Sequence, residues 1–246
     1  MRSMRAGYDA GLAPKVAGSG KEPSRLLARH LITSPGAYAT KAPGDAGRYV
    51  VYLLSGGAGG GAYYNGGSTY AGGGGGGGGT ATRSGPCLPN QTITGVVGDG
   101  GFAGSSNQPG GDGGNTTAVL DGVTVCQVAG GKRGEVTGTS YAAQGGLGGR
   151  STEDIGGSGG SGGDGGFAGE PPEGGEPGGC GGNPSGNPGI SGDRGGGGGG
   201  AARWGTRNQF TGIPTDAGDG GRGGGENTAS AAAGKAGAAV IEYWSA

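Results

Sequence analysis

The chain has 246 residues, of which 75 are glycine and only 30% are hydrophobic. Ordinary globular chains carry roughly 7% glycine and about 45–50% apolar residues. Too little apolar surface is therefore present for a large core of sheets and helices, because burial could not offset the entropy of ordering the backbone. Three arrangements remain, namely disorder, a collagen-like triple helix, or a packed array of polyproline-II-type segments.

The formal net charge is -1, but the charge is unevenly distributed. Residues 1–48 hold eight Lys or Arg against three Asp or Glu, a net of +5. The other residues hold nine against fifteen, a net of -6. A basic segment of this kind docks on an acidic protein surface or binds nucleic acid. Because no Lys/Arg run contains interleaved aromatic residues, we expect a protein partner and no nucleic acid.

The three cysteines, Cys87, Cys126 and Cys180, have no CxxC spacing. They predict neither a disulfide framework nor a zinc site, and a single bridge between two of them is left open. No stretch approaches 18 apolar residues, so we expect no membrane insertion. Arg2 and Arg5 are not followed by an apolar segment, and we expect no signal peptide.

Residues 1–47 contain scattered single glycines and several prolines, and they predict an extended basic attachment arm. Within this region, residues 24–32 follow a proline and predict two turns of helix capped by Ser24. Such a short helix needs a partner surface to order it. The residues that we expect to make the attachment are Arg25, Leu27, Arg29 and Leu31.

Residues 48–246 are predicted to form a second, glycine-rich domain. Residues 49–54 and 238–244 are rich in β-branched and aromatic residues and predict its first and last strands. Residues 92–97 predict another strand, and residues 117–128 predict a hairpin whose Asp121-Gly122 pair suits a type I′ turn. We expect one small antiparallel sheet in which the first and last strands bring the domain ends together.

Glycine tracts fill the rest of this domain, and residues 156–166 repeat Gly-Gly-X with a period of three. In a polyproline-II-type helix that period places every X on one edge and leaves two edges bare. Neighbouring helices could then approach closely enough for backbone hydrogen bonds. The predicted fold class is therefore mainly β and irregular, a small antiparallel sheet with packed polyglycine-II-type helices. Flexible linkers are the alternative interpretation.

Four features occur in order along the chain: Gly-Gly-Ala-Gly-Gly-Gly-Ala at 56–62, Pro-Asn-Gln-Thr-Ile-Thr-Gly-Val-Val-Gly-Asp-Gly-Gly at 89–101, Gly-Gly-Asp-Gly-Gly-Asn-Thr-Thr at 110–117, and Ala-Gly-Ala-Ala-Val-Ile-Glu-Tyr-Trp at 236–244. This order resembles the glycine-rich domain of bacteriophage tail-fibre and tail-tip adhesin proteins. The resemblance implies a glycine-rich sandwich, a homo-oligomer (commonly a trimer), and outward loops that contact the host. It also implies a virion protein of the phage tail, made in the host cytoplasm.

Two segments between tracts are rich enough in side chains to bind a bacterial glycan or outer-membrane protein. Their aromatic rings can stack on a receptor while Arg and amide groups hydrogen-bond to it. Alternatively, the aromatic residues of either segment pack against the scaffold. The first segment contributes Arg203, Trp204, Arg207, Asn208, Gln209 and Phe210, and the second contributes Tyr63, Tyr64 and Tyr70.

No enzymatic site is predicted, because His30 is the only histidine and has no nucleophile identifiable beside it. Glu170, Glu173 and Glu176 lie in no calcium-loop pattern, so we expect no metal and no cofactor. The sequence predicts a phage tail component for host-receptor recognition. The alternatives are a purely structural virion component, an ice-binding protein and a cell-wall glycine-rich repeat protein.

Overall fold

The computed structural model describes residues 24–62, 72–105, 108–136, 146–150, 156–157, 213–214, 216–221, 223 and 231–246. These residues contain nine strands and no helix. The strands are β1 (Leu26–Ile32), β2 (Gly36–Lys41), β3 (Ala46–Leu54), β4 (Thr80–Pro86), β5 (Thr92–Val97), β6 (Thr116–Leu120), β7 (Val123–Val128), β8 (Gly156–Gly157) and β9 (Ala238–Ser245).

The strands form two antiparallel sheets that pack face to face. The first sheet has the order β1-β9-β3-β4-β8, and the second has the order β2-β5-β6-β7. Alternating side chains of both sheets point inward and form one apolar core, as expected when only one face of a strand is buried. The largest members of this core include Val51, Leu53, Ile93, Ile241 and Tyr243.

A smaller apolar cluster covers part of the opposite face of the first sheet. Leu54, Ala238 and Val240 point outward there and are buried beneath Ile213 and Ala217. The outer face of the first sheet is therefore partly covered by the chain itself near the ends of β3 and β9.

Several sequence predictions are confirmed by these strands. The predicted segments at 49–54, 92–97 and 238–244 all lie in strands, and residues 116–128 form a hairpin. The first and last predicted strands, now β3 and β9, pair antiparallel along their length. Asp121 and Gly122 both have positive φ, at 49° and 80°, as a type I′ turn requires.

The predicted fold class is wrong. No polyglycine-II helix is seen in the part of the chain that the structure describes, and two sheets are present where one was expected, so the fold is all-β. The apolar residues are concentrated in the glycine-poor segments, and these segments supply enough strands for a small two-sheet core. The average composition of the whole chain does not show this concentration. The Gly-Gly-X run at 156–166 lies outside the described residues except for the two that form β8.

The helix predicted at residues 24–32 is also wrong, because β1 occupies Leu26–Ile32. This strand pairs antiparallel with β9, and Arg29 Nε lies 3.7 Å from Glu242 Oε1 across that pair. Leu27 packs against the apolar core. The intrinsic helix preference of leucine, alanine and arginine is a few tenths of a kcal/mol per residue, so pairing with β9 overrides it.

The remaining attachment residues lie at the ends of the same strand. Arg25 forms an exposed ion pair with Asp45 at 3.4 Å, and Leu31 is 46% exposed. β2, which follows β1, pairs with β5 in the second sheet. Residues 26–41 are thus hydrogen-bonded to both sheets, whereas the division of the chain at residue 48 and the attachment role stay predictions.

Glycine tracts connect the strands and all leave the sandwich at one end. They follow β3, β5 and β7 and precede β4, β6 and β9. Two buried hydroxyls mark this junction. The Ser55 hydroxyl donates a hydrogen bond to the carbonyl oxygen of Ala129. The Thr116 hydroxyl donates one to the carbonyl oxygen of Leu54 at 2.9 Å.

The tract at residues 55–62, called the central tract below, lies among six others in the described chain. Its amides donate in turn to three neighbours: Gly56 to Gly114, Gly57 to Lys235, and Ala58 to Gly76. Its carbonyl oxygens accept from Gly101, Gly131 and Gly221, which belong to three more tracts. The central tract is completely buried, and these bonds satisfy its backbone groups without any sheet ladder.

Candidate functional site

The candidate site is the end of the glycine tracts that lies farthest from the sheets, called the tract tip below. It is marked by described residues that flank connecting segments of the chain: Ala62, Gly72, Ser105, Gln108 and Val136. These residues are far apart in the sequence. Backbone hydrogen bonds bring their tracts together.

Four backbone hydrogen bonds define the tip. Ala62 donates its N–H to the carbonyl oxygen of Gln108 at 3.2 Å, and Gly61 donates to Gly73 at 2.9 Å. Gly73 donates in turn to the carbonyl oxygen of Glu135 at 3.1 Å, and Gly104 donates to Gly60 at 2.9 Å. Five tract ends therefore meet at one place.

Glycine is required for this convergence because the tracts pass each other too closely for side chains. A Cβ added at Gly72 would lie 1.9 Å from the carbonyl oxygen of Gly61, and one added at Gly104 would lie 2.3 Å from that of Gln108. At Gly223, an added Cβ would lie 1.9 Å from the carbonyl oxygen of Gly72. A sixth tract, that of Gly223, therefore reaches the same group.

The glycine tracts together form a layer beside the sheets, called the tract layer below. On one side of it, charged side chains link two neighbouring tracts. Asp112 accepts hydrogen bonds from Lys132 Nζ and the Arg133 amide, both at 2.9 Å. Burial by itself would raise the pKa of this carboxyl, but these donors and the two positive charges outweigh it. The pKa of Asp112 lies below its ordinary value as a result.

The nine predicted receptor-binding residues all lie outside the described residues, and no contact is assigned to them. Their flanking residues are described. Tyr63, Tyr64 and Tyr70 belong to a segment bounded by Ala62 and Gly72, both at the tract tip. The segment is anchored at both ends by the hydrogen bonds above.

The other predicted set, Arg203 through Phe210, precedes Ile213. Ile213 is buried against Leu54, Ala238 and Val240, where the strands end and the tracts begin. The two predicted segments therefore join the described chain at opposite ends of the tract layer. The structure does not bring their flanking residues together.

Sequence reasoning did not single out residues 106–107 or 137–145, although the residues that precede them, Ser105 and Val136, also lie at the tip. The first lie between Ser105 and Gln108, whose backbones are joined by a 3.0 Å hydrogen bond from Gln108 to Ser105. The second follow Val136 and include Tyr141. In the sequence, each of these segments is marked by glycine tracts on both sides. The tracts do not reveal which segments are neighbours in the folded protein.

The described chain contains no cluster of three or more His, Cys, Asp or Glu side chains that could hold a metal ion. None of its elements is a helix that could cross a membrane. Cys87 and Cys126 are both buried and form no disulfide with each other. Burial raises the pKa of the Cys87 thiol.

Comparison with known proteins identifies the family of the chain. A family model described as a glycine-rich domain matches residues 33–244. No curated protein matches the chain. Since the family model spans most of the sequence, this chain belongs to the glycine-rich domain family.

Proposed function

We propose that this chain is a bacteriophage virion protein, a tail-fibre or tail-tip component that presents the tract tip to a receptor on the host surface. The observation that supports this proposal is the convergence of the tract ends at Ala62, Gly72, Gln108 and Glu135. It places the starts of several connecting segments side by side on a hydrogen-bonded base. Loops held on a rigid scaffold are a common arrangement for recognition.

The buried tracts have few side chains to offer a receptor, so recognition falls to the segments that join them. Aromatic residues contribute large contact areas at a low cost in conformational entropy. We propose Tyr63, Tyr64 and Tyr70 as the principal receptor contacts, because both ends of their segment lie at the tip. The segment with Trp204 and Phe210 is the second candidate, attached nearer the sheets.

In this proposal the protein is made in the host cytoplasm and is incorporated into the phage tail as a homo-oligomer. It binds other tail proteins through its basic N-terminal region and a bacterial glycan or outer-membrane protein through the tip. It acts by adhesion, with no enzymatic step and no cofactor.

Binding of the purified full chain to bacteria tests the proposal. The fluorescently labelled protein is added to a panel of strains that includes the bacterium in which its gene occurs, and bound protein is measured by flow cytometry. We expect saturable binding to that strain. Replacing Tyr63, Tyr64 and Tyr70 together by serine should weaken binding at least about tenfold, as loss of aromatic anchors does.

Leu88→Ser is the matched control, because Leu88 is 67% exposed in the β4–β5 loop, at the end of the sandwich away from the tracts. This variant should bind as the unchanged protein does. Absence of binding to every strain would contradict receptor recognition and would favour a purely structural virion component. Equal loss in both variants would contradict the assignment of the tip.

A further inference from the structure

Phe102 is an exposed aromatic residue on the side of the tract layer. It belongs to the tract that follows β5 and is 67% exposed. Its ring rests on the neighbouring tract at Gly111, where an added Cβ would lie 2.4 Å from the ring carbon Cδ1 and 2.6 Å from Cε1. Gly111 also donates its N–H to the carbonyl oxygen of Phe102 at 2.8 Å. One edge of the ring is therefore packed on bare backbone, and the rest of it faces solvent.

This packing holds the ring in one position. Exposed apolar residues that occur singly are common on protein surfaces and need no explanation. Phe102 differs from them because the position beneath its ring must be glycine. A side chain at Gly111 would push the ring away, since non-bonded carbon atoms pack best at about 3.5–4.0 Å. An ordered aromatic ring loses little conformational entropy when a ligand stacks on it.

Two oppositely charged side chains lie beside the ring. Asp112 directly follows Gly111, and its carboxylate accepts a hydrogen bond from Lys132 Nζ at 2.9 Å. Both side chains are open to solvent, with exposed fractions of 44% for Asp112 and 63% for Lys132. The tracts of these two residues are adjacent, since Gly113 donates its N–H to the carbonyl oxygen of Gly131 at 3.0 Å. A ring, a carboxylate and an ammonium group thus follow one another across three tracts.

Both charged groups have hydrogen-bonding capacity left for a ligand. A carboxylate offers about four acceptor positions, and an ammonium group offers about three donors. Among the described residues, Asp112 accepts from Lys132 Nζ and from the Arg133 amide, and Lys132 Nζ donates to Asp112. The carboxylate can therefore accept from one ligand hydroxyl and the ammonium group can donate to another, while their ion pair stays intact.

We propose that Phe102, Asp112 and Lys132 form a carbohydrate-binding site for a pyranose unit of a bacterial surface polysaccharide. A pyranose ring has an apolar face of C–H groups and carries hydroxyl groups around its edge. The face of an aromatic ring is negative and attracts C–H groups, so the sugar stacks on Phe102 while its hydroxyls reach the two charged groups. This inference rests on the proposed receptor recognition, names a glycan as the receptor class, and adds a contact outside the tyrosine segment.

A protein receptor suits this surface less well than a glycan does. The cores of protein interfaces are depleted of charged residues, and their anchors lie in fully desolvated pockets. In the described part of the tract layer, Leu147 is the other exposed large apolar residue, and the tracts of Asp112 and Lys132 separate it from Phe102. An apolar protein surface would desolvate these charges at a cost, whereas sugar hydroxyls hydrogen-bond to them.

Binding of the purified full chain to protein-free polysaccharide tests the site. Polysaccharide is extracted from every strain of the panel used for cell binding, treated with protease and immobilised, and binding is followed by biolayer interferometry. We expect saturable binding to the polysaccharide of the strain whose cells bind the protein. Phe102→Leu keeps an apolar side chain without the ring and should raise the dissociation constant about tenfold, the equivalent of about 1.4 kcal/mol. Phe102→Tyr restores the ring and should recover most of that loss.

Two further variants complete the series. Lys132→Met removes the ammonium donors, keeps a long side chain, and should weaken binding at least about threefold. Leu88→Ser is the matched control, because Leu88 is as exposed as Phe102 and lies at the end of the sandwich away from the tracts. It should bind polysaccharide as the unchanged chain does.

The cell and polysaccharide measurements separate this site from the proposed function. Binding to cells without binding to polysaccharide would overturn the glycan site and would favour a protein receptor. Equal binding by Phe102→Leu and the unchanged chain would also overturn it, since the ring would then make no contact. Polysaccharide binding that depends on Phe102, in a protein that binds no intact cell, would support the site and contradict presentation to a host receptor. Binding to neither would overturn both proposals.

Discussion

The hydroxyl of Tyr243 lies 2.9 Å from the hydroxyl of Thr40 and 3.1 Å from the carbonyl oxygen of the same residue. Tyr243 belongs to β9 in the first sheet, whereas Thr40 belongs to β2 in the second. Both residues are buried, so this pair joins the two sheets across the apolar core. The last strand of the domain is thus fixed to a strand that precedes residue 48.

Removal of one hydroxyl of this pair should lower the free energy of unfolding more than removal of both hydroxyls. Tyr243→Phe leaves the Thr40 hydroxyl buried without its partner, and we expect the free energy of unfolding to fall by about 1–3 kcal/mol. The double variant Tyr243→Phe/Thr40→Val removes both polar groups and should recover part of that loss. Urea denaturation of the single and double variants measures the coupling, and strictly additive losses would contradict a direct bond.

Alkaline pH should destabilise the protein through two tyrosines. Burial raises the pKa of Tyr243 above its ordinary value, and burial together with nearby Cys126 and Tyr243 raises the pKa of Tyr38 further. The folded state therefore favours the neutral phenols. Their contribution to stability is fully present below the unfolded pKa of about 10 and is lost as the pH rises above it.

The melting temperature should accordingly fall between about pH 9.5 and 12, the range above the unfolded tyrosine pKa. Tyr38→Phe removes one of the two groups and should make this fall shallower, although it also loses a 2.9 Å hydrogen bond to the carbonyl oxygen of Thr117. Calorimetry across this range is the measurement. A melting temperature that stays constant to pH 12 would show that neither phenol resists ionisation in the folded protein.

Close packing of the glycine tracts predicts a sharp difference between two glycine substitutions. A Cβ added at Gly59 would lie 1.8 Å from the carbonyl oxygen of Phe102, whereas one added at Gly44 would meet nothing within 4 Å. Gly59→Ala should lower the free energy of unfolding by about 3 kcal/mol or more, because rigid backbone must move. Gly44→Ala should change it by less than about 1 kcal/mol.

Thermal unfolding followed by circular dichroism measures both variants under the same conditions. The neighbouring residue Ala58 shows that a methyl group is accepted at some positions of the central tract, since it is fully buried there. Similar melting temperatures for Gly59→Ala and Gly44→Ala would mean that the tracts are not packed as described.

Acid should weaken the link between the tracts that Asp112 joins. Its pKa is depressed, so its contribution to stability is present above the unfolded pKa of about 3.9 and is lost as the pH falls through the folded value. Asp112→Asn should lower the melting temperature at pH 7 and should flatten its dependence on pH between about 5 and 2. An unchanged slope in this variant would assign the acid sensitivity to other carboxyl groups.

The strands that sequence reasoning found are those whose residues have a strong intrinsic preference for a strand. Apart from Glu242, residues 49–54 and 240–243 are β-branched, aromatic or apolar, and the Asp121-Gly122 turn follows from the positive φ that those residues tolerate. β1 was missed because Leu27 and Ala28 favour helices in isolation. Its partner β9 lies more than 200 residues away.

Gly95 lies in a strand that was predicted, but its role could not be predicted from the sequence either. Nothing in the sequence explains a glycine in the middle of β5. A Cβ there would lie 2.0 Å from the backbone carbonyl oxygen of Thr117 in β6 and 2.6 Å from the hydroxyl oxygen of Tyr38 in β2. The glycine is therefore a packing requirement set by the neighbouring strands. For the candidate site, the sequence identified tyrosines between tracts but could not indicate which tract ends meet.

The sequence by itself determined that glycine tracts alternate with a few strong strands, that the hairpin turns at Asp121-Gly122, and that the family is a glycine-rich one. These properties depend on composition and on preferences of adjacent residues, which are local. Only the tertiary structure decided that there are two sheets, that β1 is a strand, and that Ala62, Gly72, Gln108 and Glu135 converge at one tip. Glycine has no side chain to encode a partner, so backbone hydrogen bonds formed in the folded chain select which tracts are neighbours.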